Sequence, residues 1–282
     1  MGRAVACLVA ALASSLTLLA AACGRESPST AVARRDAAVG ERLFMRTQTL
    51  APALSANALA CTNCHLEGGK MAGALALNGA ARAYPRKDAG GREVTLEDRI
   101  VRCFTHSLAG RAPEKTSETV LALSAYVTSI AKPEDSTASV ESLIPAGSLI
   151  PIPELNAEQG RARYGDLCSS YHGLDGQGYR ERRTPLPYDY VPPVWGPRSY
   201  NDVAGMARVY TLAGFLAHAM PRDEPGTIDD RDAQEIAAFV DGQPRPEYPD
   251  KKAWDGTSPE DAVYDTQRYP ENPFFVPLAI SP

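Results

Sequence analysis

The chain has 282 residues, more than one ordinary domain needs, and 44% of them are hydrophobic, which is enough for packed cores. A formal net charge of −5 at pH 7 argues against a nucleic-acid partner, and no apolar run beyond the N-terminal region is long enough to span a bilayer. The 23 prolines and 22 glycines indicate a loop-rich chain rather than one of long regular elements.

Residues 1–22 have the pattern of a secretory signal. Arg3 precedes an apolar run that ends in small residues, and Cys23 follows directly. This end resembles a bacterial lipobox, so we predict a lipidated Cys23 at the mature N-terminus; an ordinary signal-peptidase cut nearby is the alternative. Loss of residues 1–22 removes one arginine and no acid, which moves the net charge from −5 to −6. Residues 23–36 are predicted to be a tether.

A first helix is predicted from about Ala37 to Thr47, because Val39, Leu43 and Phe44 recur at helical spacing. It precedes the most informative stretch of the chain.

Cys61-Thr62-Asn63-Cys64-His65 has the spacing with which c-type haem is attached. Each thiol adds across a haem vinyl group, and His65 stands as the proximal iron ligand. Half of a zinc site is the alternative, but no second Cys or His pair occurs at a matching spacing. Gly40 and Phe44 fit the opening helix of small cytochromes c. The motif also predicts a location outside the cytoplasm, where haem c is assembled.

The segment after this motif offers a cysteine rather than a methionine as distal ligand. Met71 is too close to His65 to reach the opposite haem face. Thr95 and Asp98 have the form of a capping box, and Cys103 follows in the same predicted helix. Three flanking arginines favour a Cys103 thiolate: Arg99, Arg102 and Arg111. His106 is the competing ligand.

The pattern of the first half then repeats, which predicts an internal duplication and an all-α fold of two tandem cytochrome c-like domains. A third helix is predicted near 117–131, and Asn156 is a plausible N-cap where the pattern restarts. Further helices are predicted near 206–219 and 231–241. The predicted divisions are domain 1 at 37–140, a linker at 141–155, and domain 2 with a C-terminal tail at 156–282.

The second motif, Cys168-Ser169-Ser170-Tyr171-His172, has tyrosine where the second cysteine belongs. One thioether from Cys168 and ligation by His172 would still retain haem, so we expect two haems. A haem-free domain is the alternative, and a Cys103–Cys168 disulfide is the alternative use of those two thiols. Three residues compete as the second haem's sixth ligand: Met220, which we prefer, Met206 and His218.

Residues 99–111, Arg-Ile-Val-Arg-Cys-Phe-Thr-His-Ser-Leu-Ala-Gly-Arg, follow Cys-Thr-Asn-Cys-His-Leu in a pattern that resembles the dihaem thiosulfate dehydrogenase family. These proteins are related to sulfur-oxidation cytochromes with a cysteine-ligated haem. The second half adds similar segments at 192–201, 204–208, 220–221, 232–239 and 243–246. The likeness spans about residues 37–250.

The resemblance implies oxidative coupling of two thiosulfates to tetrathionate. The first haem would have His65 and Cys103 as ligands, with Arg99 and Ser107 binding the anionic substrate, since a dianion needs fixed positive charge and hydrogen-bond donors. The second haem, at His172 and Met220, would pass electrons to another cytochrome.

A non-catalytic electron-transfer protein with one or two haems is the alternative function, motivated by Tyr171 and by Ala89, where the family tends to carry a basic residue. The expected location is the periplasm, with the membrane reached only through a lipid on Cys23. A soluble periplasmic protein is the alternative.

Overall fold

The computed structural model of the chain describes residues 28–87, 91–131, 146–179 and 190–249. The predicted signal peptide, Cys23, Ala89 and the tail after residue 249 lie outside the described residues. Within the described ranges, none of the helices combines the length and the apolar character needed to cross a membrane.

The regular structure of the described residues is helical apart from one small pair of strands and an isolated bridge between Tyr179 and Val191, which confirms the predicted all-α class. The helices are α1 Pro28–Met45, α2 Thr47–Leu50, α3 Leu66–Gly69, α4 Leu96–Thr105, α5 Glu118–Ser129, α6 Ala157–Leu167, α7 Ser169–His172, α8 Val209–Ala219 and α9 Asp230–Asp241. Strands β1 Arg86–Lys87 and β2 Glu93–Val94 pair antiparallel.

Local capping chemistry determines where the longer helices begin. The Thr95 side chain accepts a hydrogen bond from the Asp98 N–H, and the Asp98 carboxylate accepts from the Thr95 N–H, 2.8 Å away. The Asn156 side chain caps α6 by accepting from the Gln159 N–H at 3.0 Å. Both predicted N-caps are confirmed.

The first helix differs from its prediction. It begins at Pro28 rather than near Ala37, so it includes part of the predicted tether at 23–36. The physical reason is that proline suits the first helical turn and that the alanines and arginines after it are good helix formers.

Each half is built on a crossing of its first and last long helices, with a glycine at the closest point. A Cβ atom on Gly40 of α1 would lie 1.9 Å from the carbonyl oxygen of Ala122 on α5. A Cβ atom on Gly160 of α6 would lie 2.1 Å from the carbonyl oxygen of Glu235 on α9. Backbones this close leave no room for a side chain, so the two crossings require glycine.

One turn beyond each glycine, an aromatic pair closes the same crossing. The rings of Phe44 and Tyr126 are 5.3 Å apart in the first half, and those of Tyr164 and Phe239 are 5.5 Å apart in the second. Trp195 joins the second pair, 4.9 Å from the Tyr164 ring. The repeated arrangement supports duplication as the origin of the two halves.

Replacing Gly160 by alanine is expected to destabilise the protein by about 1–3 kcal/mol, because the new methyl group overlaps a backbone carbonyl that has little freedom to move. Gly165 lies in the same helix, and no described atom lies within 4 Å of the position its Cβ would take. Gly165→Ala is therefore the matched control and should raise stability by up to about 1 kcal/mol. Guanidinium unfolding followed by circular dichroism measures both; equal effects would contradict the proposed close crossing.

Candidate functional site

The first haem motif is a tight turn anchored to α2. Residues Cys61–Asn63 form a single 3-10 turn, in which the Asn63 side chain accepts from the Ala60 N–H at 2.7 Å. The Thr47 hydroxyl accepts from the Cys61 N–H at 3.2 Å and lies 3.3 Å from the Cys61 sulfur. Thr47, which the sequence did not single out, therefore ties the motif to the preceding helix.

The His65 imidazole is held in the form that binds a metal. Its Nδ1 lies 2.6 Å from the Leu75 carbonyl oxygen, which only accepts, so Nδ1 carries the proton and Nε2 keeps its lone pair. Burial lowers the pKa of His65 to about 4; the Leu75 bond opposes this shift and the Arg99 charge adds to it. The ring is neutral at physiological pH, as metal ligation requires.

The second motif reproduces this arrangement in spite of Tyr171. The His172 Nδ1 lies 2.9 Å from the Pro192 carbonyl oxygen, which again leaves Nε2 for a metal. The His172 N–H donates to the Cys168 carbonyl at 2.9 Å, as the His65 N–H donates to that of Cys61 at 3.0 Å. Burial lowers the pKa of His172, so this ring is neutral as well.

The thiols of both motifs stand in apolar surroundings. Cys61, Cys64 and Cys168 are half-buried free thiols packed against the hydrophobic core, and burial raises the pKa of each to about 12. Cys103 is also a free thiol. A thiol at the edge of an apolar core can form a thioether with haem c, and an oriented imidazole can bind its iron. The first motif supplies two such thiols and the second supplies one, so the residues at both motifs fit the group.

Helix α4 brings Cys103 and Arg99 to the first motif. They are one helical turn apart and both half-buried. The pKa of Arg99 is raised, chiefly by opposite charge at Cys103. Burial is the main cause of the raised pKa of the Cys61 and Cys64 thiols, and negative charge at Cys103 adds to it. The residues predicted for the first site are therefore neighbours in space.

Tyr84 is a member of this site that the sequence did not reveal. It precedes Pro85 in the loop before the hairpin, and its side chain hydrogen-bonds the Arg99 guanidinium. Tyr84 is therefore in a position to orient the Arg99 guanidinium beside Cys103.

Ser107 follows the end of α4 and is held through its backbone. Its carbonyl oxygen accepts from the Asn57 side-chain amide at 2.8 Å, and the Leu108 N–H donates to the Cys103 carbonyl at 3.1 Å. The hydroxyl of Ser107 is half-buried. Its predicted contact with substrate stays a prediction.

His106, the competing ligand, is held by its own neighbours. Its Nδ1 accepts from the Arg102 Nε at 3.3 Å, and its ring also hydrogen-bonds the Val203 backbone. The ring packs edge-on against Tyr248, with centroids 5.0 Å apart. Burial, assisted by Arg102, Arg99 and Arg208, lowers its pKa to about 3. The imidazole thus contacts residues of both halves, and these contacts favour Cys103 over His106 as the ligand of the first haem.

The three candidate ligands of the second haem occupy different environments. Met206 is buried in the hydrophobic core. Met220 is half-buried at the end of α8, directly before Pro221. The exposed His218 approaches the first half: a Cβ atom on Gly73 would lie 2.7 Å from the His218 Cβ. Met220 is thus neither buried in the core, as Met206 is, nor exposed, as His218 is.

Two asparagines join the halves next to the end of α4. The Asn57 amide donates to the Ser107 carbonyl and, at 3.0 Å, to that of Ser199. The buried Asn201 donates from its side chain to the Thr105 carbonyl at 2.9 Å. The segment that follows Cys103 is therefore fixed by the second half.

Comparison with known proteins finds two family models that match successive parts of the chain. The family model described as SoxA/TsdA, cytochrome c domain, matches residues 50–134, and the model described as cytochrome C oxidase, cbb3-type, subunit III, matches residues 155–240. The chain is 34% identical over 221 residues to the thiosulfate dehydrogenase of Allochromatium vinosum, an alignment that covers 73% of this chain and 77% of that one. It is 32% identical over 216 residues to the thiosulfate dehydrogenase of Stutzerimonas stutzeri, covering 74% and 67% respectively.

Among solved structures, the "as isolated" form of thiosulfate dehydrogenase (TsdBA) from Marichromatium purpuratum superposes with a TM-score of 0.69 at 28% identity. The match covers 85% of this chain and 53% of that one, so the chain spans about half the length of that protein.

Two helical units, each with a haem-attachment motif and an oriented histidine, define a protein of two tandem cytochrome c domains. The extent and identity of the alignments are specific enough to go further: the chain belongs to the thiosulfate dehydrogenase family.

Proposed function

We propose that this protein oxidises thiosulfate to tetrathionate and passes the electrons to another cytochrome. In the balanced reaction two thiosulfate dianions each lose one electron, one S–S bond forms between them, and no proton or further co-reactant is needed. The observation that carries the proposal is the placement of Arg99 and Cys103 one helical turn apart on α4, beside the first haem motif.

The residues of the first site have separate tasks in this proposal. Cys61 and Cys64 would attach the haem, and His65 and Cys103 would bind its iron. A haem bound there supplies a one-electron acceptor. Arg99 binds the anionic substrate together with Ser107, and its charge offsets the repulsion between two dianions. Tyr84 holds the guanidinium in place.

The residues of the second site serve electron exit. Cys168 would attach the haem through a single thioether, with His172 and Met220 as axial ligands. An anionic sulfur ligand stabilises ferric iron and lowers the reduction potential of its haem, whereas a methionine ligand raises it. Electrons would therefore move downhill from the first site to the second. The acceptor is an electron-transfer cytochrome, and we place the protein in the periplasm, anchored by a lipid on Cys23.

Thiosulfate turnover with an artificial electron acceptor, with tetrathionate as the measured product, tests the proposed activity. Formation of one tetrathionate for every two electrons accepted supports it. A protein that exchanges electrons with a partner cytochrome but leaves thiosulfate unchanged would instead be the non-catalytic carrier.

Tyr84→Phe is expected to raise KM for thiosulfate several-fold with a smaller change in kcat, because it removes one hydrogen bond to the substrate-binding Arg99 and leaves the iron ligands intact. Steady-state kinetics measures the split, and an unchanged visible spectrum shows that the haems are undisturbed. An unaltered KM would remove Tyr84 from the site.

A further inference from the structure

The tyrosine that replaces the second haem-attaching cysteine has a specific partner. The Tyr171 hydroxyl donates to the Asp223 carboxylate at an O···O distance of 2.7 Å. A hydrogen bond from a neutral phenol to a carboxylate is charge-assisted, although this one is exposed and water competes with it. Tyr171 therefore makes a contact of its own, in addition to replacing a haem-attaching cysteine.

The two residues belong to the two segments that carry the second site's axial ligands. Tyr171 lies in α7 directly before His172. Asp223 lies in a turn after Met220, in which the Glu224 N–H donates to the Pro221 carbonyl at 3.0 Å. The Met220 N–H in turn donates to the Leu216 carbonyl of α8 at 3.2 Å. The Tyr171–Asp223 bond thus joins the histidine segment to a hydrogen-bonded turn that holds the methionine.

We propose that Tyr171 is a positioning residue that keeps Met220 on the iron. The inference rests on the proposed haem at His172 and Met220. In a motif with one thioether, the covalent link between Cys168 and the haem secures only one side of the site. The Tyr171–Asp223 bond connects the proximal and distal segments directly, so that loss of the methionine from the iron requires this bond to break or stretch. The hydroxyl replaces part of the restraint that the missing thioether would have given.

The test uses the purified full-length protein with its haems. Tyr171→Phe removes the hydroxyl, and Asp223→Ala removes the carboxylate that accepts from it. For each variant, imidazole is added to the ferric protein and the far-red methionine-to-iron charge-transfer band is followed. We expect about 2- to 5-fold less imidazole to displace the methionine in either variant, a change matching the loss of one exposed charge-assisted hydrogen bond. The midpoint potential of the second haem should fall, since methionine ligation raises it.

Tyr179→Phe is the matched control, because among the described residues its buried hydroxyl has no hydrogen-bond partner. It should leave the titration unchanged. The double variant Tyr171→Phe/Asp223→Ala should equal either single variant, since both remove the same bond. Full additivity, a Tyr171→Phe titration identical to wild type, or a wild-type protein with one haem iron per chain would each overturn the proposal. Thiosulfate turnover is no part of this readout, so the inference and the proposed activity fail independently.

Discussion

Replacing Cys103 by glycine is expected to lower thiosulfate turnover by at least about 100-fold while leaving the first haem covalently attached. Cys61 and Cys64 hold the haem from their own segment, and His65 stays oriented by Leu75. What the variant removes is the sulfur proposed to bind the iron, one helical turn from Arg99. Turnover with an artificial acceptor measures the loss, and haem staining after denaturing electrophoresis measures the attachment.

Cys103→Met separates loss of a ligand from loss of the thiolate. Methionine supplies a neutral sulfur at the same position, so the first haem should stay low-spin with a raised potential. Activity should still be absent, because the negative sulfur is missing. Full activity in Cys103→Met would contradict the proposed mechanism, and would return Cys103 to a purely structural part of α4.

Arg99→Gln is expected to lower kcat/KM for thiosulfate by about 30-fold or more, with most of the effect on KM. The guanidinium is half-buried, so solvent screens its attraction for a dianion less than at the surface. Glutamine keeps hydrogen-bond donors but carries no charge. Steady-state kinetics at two ionic strengths measures the change, and the variant should show the weaker dependence on salt.

Arg161→Gln is the matched control for this loss of charge. Arg161 is exposed on α6 in the second half, so the variant changes the net charge of the protein by the same amount as Arg99→Gln. Its kcat/KM should stay within about twofold of wild type, because surface charges are screened over a Debye length. Equal effects of the two variants would show that overall charge, and not the site at Cys103, governs substrate binding.

The six longer helices and their order were predictable because each rests on a short-range pattern, whereas the four-residue helices α2, α3 and α7 are too short to show one. Thr95 and Asn156 are N-cap residue types, so they predict where α4 and α6 begin. Gly40 and Phe44 are four residues apart, and this spacing predicts the helix crossing. The exception was the start of α1, where alanines and arginines favour helix in a segment whose polarity indicated a tether. The hairpin Arg86–Lys87/Glu93–Val94 was missed because two-residue strands have no periodicity to detect.

The contacts that complete the site were not predictable from the sequence. Leu75 and Pro192 orient the histidines through backbone carbonyls, which any residue type supplies. Tyr84 reaches Arg99 from an irregular loop. Such pairs are set by how loops pack, and no local spacing encodes them.

Tyr171 shows the same limit in the second motif. The sequence identified it as a damaged attachment site, since only the residue type at the motif position was visible. Its partner Asp223 comes from the turn after Met220, far along the chain. The sequence shows only that a cysteine is missing at position 171, whereas the structure shows the hydrogen bond that the tyrosine makes there.

Electron paramagnetic resonance of the purified, oxidised protein tests the central claim, that the first haem is ligated by Cys103, most directly. The proposed ligands predict two low-spin ferric signals of equal intensity. One should have the narrow spread of g values typical of thiolate ligation and should disappear in Cys103→Met, and the other should be unaffected. Two signals without thiolate character, unchanged in Cys103→Met, would contradict the proposed site.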